Sequence, residues 1–409
     1  MKSGQIEDAR KSSRGIVLSS VRKRGRVARI DIADETGISP ATVTGISAEL
    51  LSAGLIEEVA RAHQHEELKR GRPRVDLKIR GNAHFVAGVK LGDNHAVTAI
   101  LDFEGNLVTE YSTPLPGSKL TGQELFEFLP RVLNDATANA GLKINDLSGI
   151  GLGLAGVIDA PRGFVHWSPS IVERNLPLRQ LLEQYLDVPL FIDNDVNLVA
   201  LAEQWFGLGK NVSDFIVITI ENGVGMGIVI NDEIYRGTRG CGAEFGHTKV
   251  QLDGALCRCG QRGCLEAYVA DYALLREANY AANPRLKSQT LPTPEQQVQD
   301  LFHQAKAGDQ TAQSIFKRAG KMFAMGLANV INIFDPALII LSGERMQFDY
   351  LYAGEVIENM KNSVVQIDVS PPEVRIHKWG DLMWAKGAAV YAMEGVTEIA
   401  LQGMTGNGK

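Results

Sequence analysis

The sequence predicts an α/β protein with a small winged helix-turn-helix at its N-terminus and a two-lobed body behind it. Three observations predict this. Helical segments broken by a glycine turn, then a hairpin, fill residues 10–80. Strand and helix signals alternate twice between residues 82 and 395. One histidine and three cysteines gather between residues 247 and 264. The expected boundaries are 1–81 for the winged head and 82–195 for the first lobe, completed by a C-terminal helix over 380–396. Residues 196–379 form the second lobe, with the cysteine loop and an oligomerisation surface.

A chain of 409 residues suits two or three domains. With 44% hydrophobic and 22% charged residues, global disorder is excluded. No apolar run approaches the ~20 residues of a membrane helix. Residues 1–14 are polar and lack the apolar core of a signal peptide. The expectation is a cytoplasmic protein with no membrane partner. The net charge of −6 hides a split: residues 1–80 hold 16 Lys and Arg against 11 Asp and Glu, so the head is basic and the rest acidic. A polyanion partner for the head alone follows from that split.

The head reads element by element. A first helix covers Arg10 to Arg24, with Ile16, Val17, Leu18 and Val21. A second covers Val27 to Thr36. The turn Thr36-Gly37-Ile38 places glycine where a positive φ is needed. The third helix opens at Ser39-Pro40, a capping hydroxyl followed by a proline that forfeits no hydrogen bond. Val43, Ile46, Leu50 and Leu51 form its buried stripe. Ala41, Thr42, Thr44, Gly45 and Ser47 are short enough to bring the other face close to base edges in a major groove. Leu55 to Val59 and Val75 to Ile79 make the hairpin. Its tip carries Arg70, Arg72 and Arg74, suited to phosphates or a narrow minor groove. The head is expected to bind double-stranded DNA through Ala41, Thr42, Thr44, Ser47 and these three arginines.

In the body, Phe85 to Lys90, Ala96 to Leu101 and Leu107 to Tyr111 read as strands. Leu125 to Ala140 is an amphipathic helix. Ile150 to Leu154 and Leu190 to Ile192 are buried strands, and Asn197 to Phe206 is a helix. Phe215 to Ile220 and Gly227 to Ile230 open the second series. Residues 284–294 read as a surface loop, Lys321 to Phe334 as a long apolar helix, Ala337 to Leu341 as a strand, and Ala385 to Met393 as a small-residue helix packing on the first lobe.

His247, Cys257, Cys259 and Cys264 carry the strongest chemical signal. Three thiolates and an imidazole complete a tetrahedral Zn2+ shell with no position left for water, so one structural zinc per chain is expected. Gly260 and Gly263 permit the tight turns between ligands. Cys241 reads as a small buried residue. Asn194 and Asp195, at a strand end, suit sugar hydroxyls, although an Asp there could also deprotonate a hydroxyl for phosphoryl transfer. Glu244 and Glu266 flank the zinc ligands, and the loop would hold both carboxylates in place. The turn Glu221-Asn222-Gly223-Val224-Gly225-Met226-Gly227 reads either as a phosphate cradle or as a plain hairpin.

With these motifs in view, the chain resembles the ROK family of repressors, open reading frames and sugar kinases, specifically its Mlc/NagC- and xylose-repressor-like transcriptional branch. The likeness runs from the winged head through Cys257-x-Cys259-Gly260-x2-Gly263-Cys264-x-Glu266 to the C-terminal helix. It implies a two-lobed actin-like/hexokinase-like ATPase body with sugar in the cleft. It also implies sugar contacts from Asn194, Asp195, Glu244, His247 and Glu266, with Gly156 and Ser170 in the neighbouring loops. Asp195 matches the catalytic base of the kinases. The kinases' phosphate loop after the first strand is replaced here by Val89-Lys90-Leu91-Gly92-Asp93-Asn94. Their second loop begins Gly-Thr-Gly, where this chain has Glu221-Asn222-Gly223. Asp93 and Glu221 both set negative charge where phosphate would lie. A usual Asn is Ser170, and a usual Pro is Ala155 before Gly156.

The resulting expectation is a sugar-responsive regulator, with Asp195 vestigial and no kinase activity. It would repress carbohydrate-catabolism genes as a homodimer or tetramer on operator DNA, released by a monosaccharide or sugar phosphate. Its rivals are an ATP-dependent sugar kinase with a DNA-binding head, and a repressor controlled by a transporter protein partner.

Overall fold

The computed structural model describes residues 2–60, 75–92, 94–281, 293–349, 354–365, 368 and 370–406. The described chain divides into two compact units. One contains Met1–Leu154, Arg162–Ile192 and Ala388–Lys409, and the other contains Ala155–Pro161 and Asp193–Gly387. The basic head therefore belongs to the same compact unit as the first sheet.

The head contains α1 (Lys2–Arg24), α2 (Arg29–Thr36) and α3 (Pro40–Ser52), then β1 (Ile56–Ala60) and β2 (Val75–Ile79). Gly37 ends α2 in the left-handed region at φ 69°, and Ser39 accepts the Thr42 N–H at 3.2 Å to start α3. The two strands pair antiparallel from Ile56 opposite Ile79 to Ala60 opposite Val75. Val17, Leu18, Ile32, Val43, Leu50, Ile56 and Leu77 close the core between helices and hairpin. The first helix starts at Lys2 instead of Arg10. The tip arginines Arg70, Arg72 and Arg74 lie outside the described residues.

One DNA-face assignment is corrected. Ser47 is 0% exposed and packs in the core stripe with Val43, Ile46 and Leu50, whereas Leu51 is only partly buried. The helical period explains this, because Val43, Ile46, Ser47 and Leu50 occupy positions i, i+3, i+4 and i+7. The outward face consists of Ala41, Thr44, Gly45 and Ala48, with Thr42 beside it.

The head is fastened to the first sheet at one turn. The sheet strands β3 (Phe85–Leu91), β4 (His95–Asp102) and β5 (Leu107–Pro114) form a meander, and Phe103 sits in the β4–β5 turn. The Arg22 guanidinium lies 4.7 Å over the Phe103 ring and donates to its carbonyl at 3.3 Å. Burial lowers the Arg22 pKa to about 10, with the Glu394 charge opposing the shift. The His84 ring packs edge-on to Phe103 at 5.0 Å, and Lys78 pairs with Glu104 at 3.0 Å. Residues 80–84 gave no structural reading in the sequence, because these partners come from α1 and the β4–β5 turn.

The first unit continues with α4 (Gly122–Asn139), begun by a Thr121–Glu124 capping box, and with β6 (Leu147–Leu154). Next come β7 (Val157–Asp159) in the second unit, then β8 (Phe164–Trp167), α5 (Leu178–Leu182) and β9 (Leu190–Asn194). The sheet order is β5-β4-β3-β6-β9, with β3 parallel to β6.

The second unit contains α6 (Asp195–Phe206), β10 (Phe215–Ile220), β11 (Val224–Ile230), β12 (Glu233–Ile234), α7 (Glu266–Val269), α8 (Asp271–Ala281), α9 (Pro294–Lys306), α10 (Gln310–Phe334), β13 (Leu338–Ser342), α11 (Gly354–Lys361) and β14 (Glu373–His377). Its sheet order is β12-β11-β10-β13-β14, again three antiparallel strands whose innermost member runs parallel to the fourth. The two sheets thus share one plan, as the doubled strand–helix alternation implies. Strand β14 had no counterpart in the sequence reading; its Glu373-Val374-Arg375-Ile376-His377 is half exposed and has no apolar run. Finally α12 (Leu382–Gly406) links the units, and residues 388–406 belong to the first. There Gly151 lets the helix sit on β6, since a Cβ would run into the Ala388 carbonyl. Among the described residues, no helix is long and apolar enough to cross a membrane.

Candidate functional site

The site is built where β9 gives way to α6. Asp193, 0% exposed, accepts the Asn194 N–H at 2.7 Å, the Asn197 amide at 3.0 Å and the Arg236 Nε at 2.8 Å. It holds the turn and ties it to the loop after β12. Asn194 caps α6 by accepting the Val196 N–H at 3.0 Å, and its amide donates to the Gly156 carbonyl at 2.8 Å. One amide hydrogen and one lone pair remain for a ligand. The Asp195 carboxylate also accepts the Val196 N–H, at 2.9 Å. The start of a 12-residue helix favours negative charge at that position.

The loop from Arg236 to His247 brings a second carboxylate. Ala243 takes the left-handed φ of 69°, unusual for a residue with a Cβ, and aims the chain into Glu244. The Glu244 side chain is 46% exposed, yet its carboxyl is held above the ordinary range. Protein crowding around the acid is the main cause; Asp195 and Glu266 add to it, and His247 pulls the other way. His247 Nε2 lies 3.9 Å from Glu244. Glu266, 8% exposed at the start of α7, accepts the Val224 N–H at 3.3 Å and the Tyr272 hydroxyl at 3.3 Å. Asp195, Glu244 and Glu266 therefore form a cluster of acceptors in which the first and last act on the Glu244 carboxyl. Such a set suits several hydroxyls of one ligand.

His247, Cys257, Cys259 and Cys264 have their ligand atoms within 4.8 Å of one another. Cys259 Sγ is 3.7 Å from Cys264 Sγ, and His247 Nδ1 is 3.6 Å from Cys257 Sγ. A tetrahedron with zinc–sulfur bonds of about 2.3 Å has sulfur–sulfur edges of about 3.8 Å, so the donor set fits such an ion. Gly260 and Gly263, at φ 87° and 76°, make the turns between ligands, and a Cβ on Gly263 would strike the Gln251 carbonyl. Burial pushes the Cys257 thiol up to about 12, with the Glu266 charge contributing. A metal ion would reverse that preference by binding the thiolate.

Most of the assigned residues assemble in the second unit: Gly156, Asn194, Asp195, Glu244, His247 and Glu266 with the three cysteines. Ser170 belongs to the first unit, where it is buried with its N–H on the Ser168 hydroxyl at 3.2 Å. The glycine-rich turn serves packing: a Cβ at Gly225 would hit the Val196 side chain, and one at Gly227 would come 2.8 Å from the Val196 carbonyl. Glu221 sits against Gly343, while Asp93 lies outside the described residues. Sequence reasoning missed Asp193, Arg236 and Tyr272. Asp193 lies inside the strand-end motif Ile192 to Asn197 but was given no role, because its partner is 43 residues away and invisible to local spacing.

The ROK family model matches residues 86–394. The chain is 27% identical over 357 residues to the xylose repressor of Caldicellulosiruptor bescii, covering 86% of this chain and 88% of that protein. It is 28% identical over 346 residues to the DNA-binding transcriptional dual regulator NagC of Escherichia coli, covering 85% and 84%. Among solved structures it resembles a ROK family transcriptional regulator, a homologue of the E. coli MLC protein, with a TM-score of 0.80 at 23% identity. That likeness covers 98% of this chain and 100% of the other.

Proposed function

The chain belongs to the ROK family, and from that premise we propose that it is a sugar-responsive, DNA-binding transcriptional repressor of carbohydrate-catabolism genes. The observation that carries this reading is a winged head with an exposed small-residue helix face in the same chain as a carboxylate cluster braced by a metal-ligand set. In this reading α3 enters the major groove with Ala41, Thr42 and Thr44 toward the bases, joined by Ala48 in place of Ser47. Arg70, Arg72 and Arg74 reach phosphates or the minor groove, and paired heads of a homodimer or tetramer meet a pseudopalindromic operator. A monosaccharide or sugar phosphate donates hydroxyl hydrogens to Asp195, Glu244 and Glu266 and shares hydrogen bonds with Asn194 and His247. It releases the operator because it binds better to a state that holds DNA less well.

His247, Cys257, Cys259 and Cys264 hold one Zn2+, which supplies a rigid cross-link and no reacting position. With the metal on His247 Nδ1, Nε2 keeps its hydrogen and can donate to a sugar hydroxyl or to Glu244. Asp195 is retained without phosphoryl transfer. Glu221, which lies against Gly343, stands where the second phosphate loop of the kinases begins Gly-Thr-Gly, and a carboxylate there disfavours a nucleotide phosphate.

Two experiments test this. Thr44→Glu sets a carboxylate on the exposed α3 face and is expected to weaken operator binding by at least about tenfold at fixed salt, with unchanged thermal stability. Native affinity in that variant would remove α3 from the interface. Asp195→Asn and Glu244→Ala are expected to bind operator normally and lose release by sugar; normal release in both would displace the sugar site. The kinase rival is addressed by incubating the protein with ATP and a panel of hexoses, pentoses and N-acetylhexosamines. Stoichiometric turnover would favour it.

A further inference from the structure

A zinc shell of three thiolates and one neutral imidazole carries a net charge of −1. Here it also stands beside carboxylates, with Cys257 Sγ 3.6 Å from Glu266 Oε1. Cationic compensation has a specific place in the fold. Lys249 and Cys264 form an antiparallel bridge, so they are cross-strand neighbours on one face. The bridge is flanked by the Val250 N–H on the Gly263 carbonyl at 2.9 Å and the Leu265 N–H on the Thr248 carbonyl at 2.9 Å. The backbone therefore fixes the register, and Lys249 Nζ donates to Cys264 Sγ at 3.0 Å. The same ammonium donates to Gln261 Oε1 at 2.6 Å, and Gln261 lies between the second and third cysteines. An ammonium at this distance stabilises a thiolate over a thiol and lowers the repulsion among three sulfur anions.

We infer that Lys249, held by Gln261, is a positioning residue for the metal: it compensates the thiolate charge and thereby sets how tightly the ion is kept. This rests on the zinc reading proposed above. Lys249 is exposed and is not itself a core residue, so its replacement is expected to leave the fold intact.

The test is metal release from the full-length protein, loaded with Zn2+ and challenged with a chromogenic chelator. Metal content by mass spectrometry and thermal unfolding are measured alongside. Lys249→Met is expected to raise the zinc dissociation constant by about 10- to 100-fold, the range typical of outer-shell partners. Lys249→Arg is expected to stay within about threefold of native, because the charge and donor persist. Gln261→Ala, which frees the ammonium without removing it, should fall between. Native retention in Lys249→Met would overturn the assignment. Equal loss in Lys249→Arg and Lys249→Met would also overturn it, since charge would then not be the cause. A native protein that takes up no zinc would instead overturn the zinc reading itself, and the role of Lys249 with it.

Discussion

Asp193→Ala is expected to destabilise the second unit by about 3 kcal/mol, the lower end for removing one member of a buried ion pair. The lower end applies because Arg236 is 21% exposed and can recover some solvation, whereas Asp193 is 0% exposed. Three donors lose their acceptor at once: the Asn194 N–H, the Asn197 amide and the Arg236 guanidinium. Asp193→Asn keeps an acceptor oxygen but loses the charge, so it should cost less. The check is the denaturant midpoint of both variants at neutral pH. A midpoint for Asp193→Ala within error of native would show that the hub does not hold the turn carrying Asn194 and Asp195.

Metal removal is expected to have the other large effect. His247 contributes to both the ligand set and the carboxylate cluster, and Glu266 follows the last cysteine by two residues. The loop from 247 to 264 is held by turn bonds and two isolated bridges and not by regular elements, and a metal on its four ligands would add to its folding free energy. Chelation, or Cys264→Ser, is expected to weaken sugar binding by at least about 100-fold, roughly 2.7 kcal/mol. Operator binding should stay near native, because the head belongs to the first unit with its own core. Titration calorimetry with sugar on metal-loaded and metal-free protein checks the first part, and DNA binding by the same two samples checks the second. Sugar affinity that is unchanged without metal would separate the cluster from the site.

Features encoded by neighbouring residues were legible in the sequence. Ser39, Pro40 and Gly37 announce α3 because caps and turns are local hydrogen-bond problems, and the structure has each in that role. The ligand spacing of His247 and the cysteines is equally local. Strands such as β10 and β13 were read from continuous apolar runs that are buried on both faces. What escaped depended on distance or on the helical period. Ser47 was assigned by its chemistry as a short polar group, although Val43, Ile46 and Leu50 already defined the stripe that includes it. Arg236 meets Asp193, Lys249 meets Cys264 and Arg22 meets Phe103 only through tertiary pairing, which leaves no trace in spacing. Helix α10 begins at Gln310, earlier than Lys321, because Asp309 caps it ahead of its most apolar stretch.

The central claim is that one chain couples operator DNA to a sugar. It is tested most directly by fluorescence anisotropy of the protein on its own upstream DNA, titrated with monosaccharides and their phosphates at one fixed salt concentration. One sugar class is expected to release DNA from the native protein and to leave DNA bound to Glu244→Ala. Operator affinity that no sugar or sugar phosphate changes would contradict it.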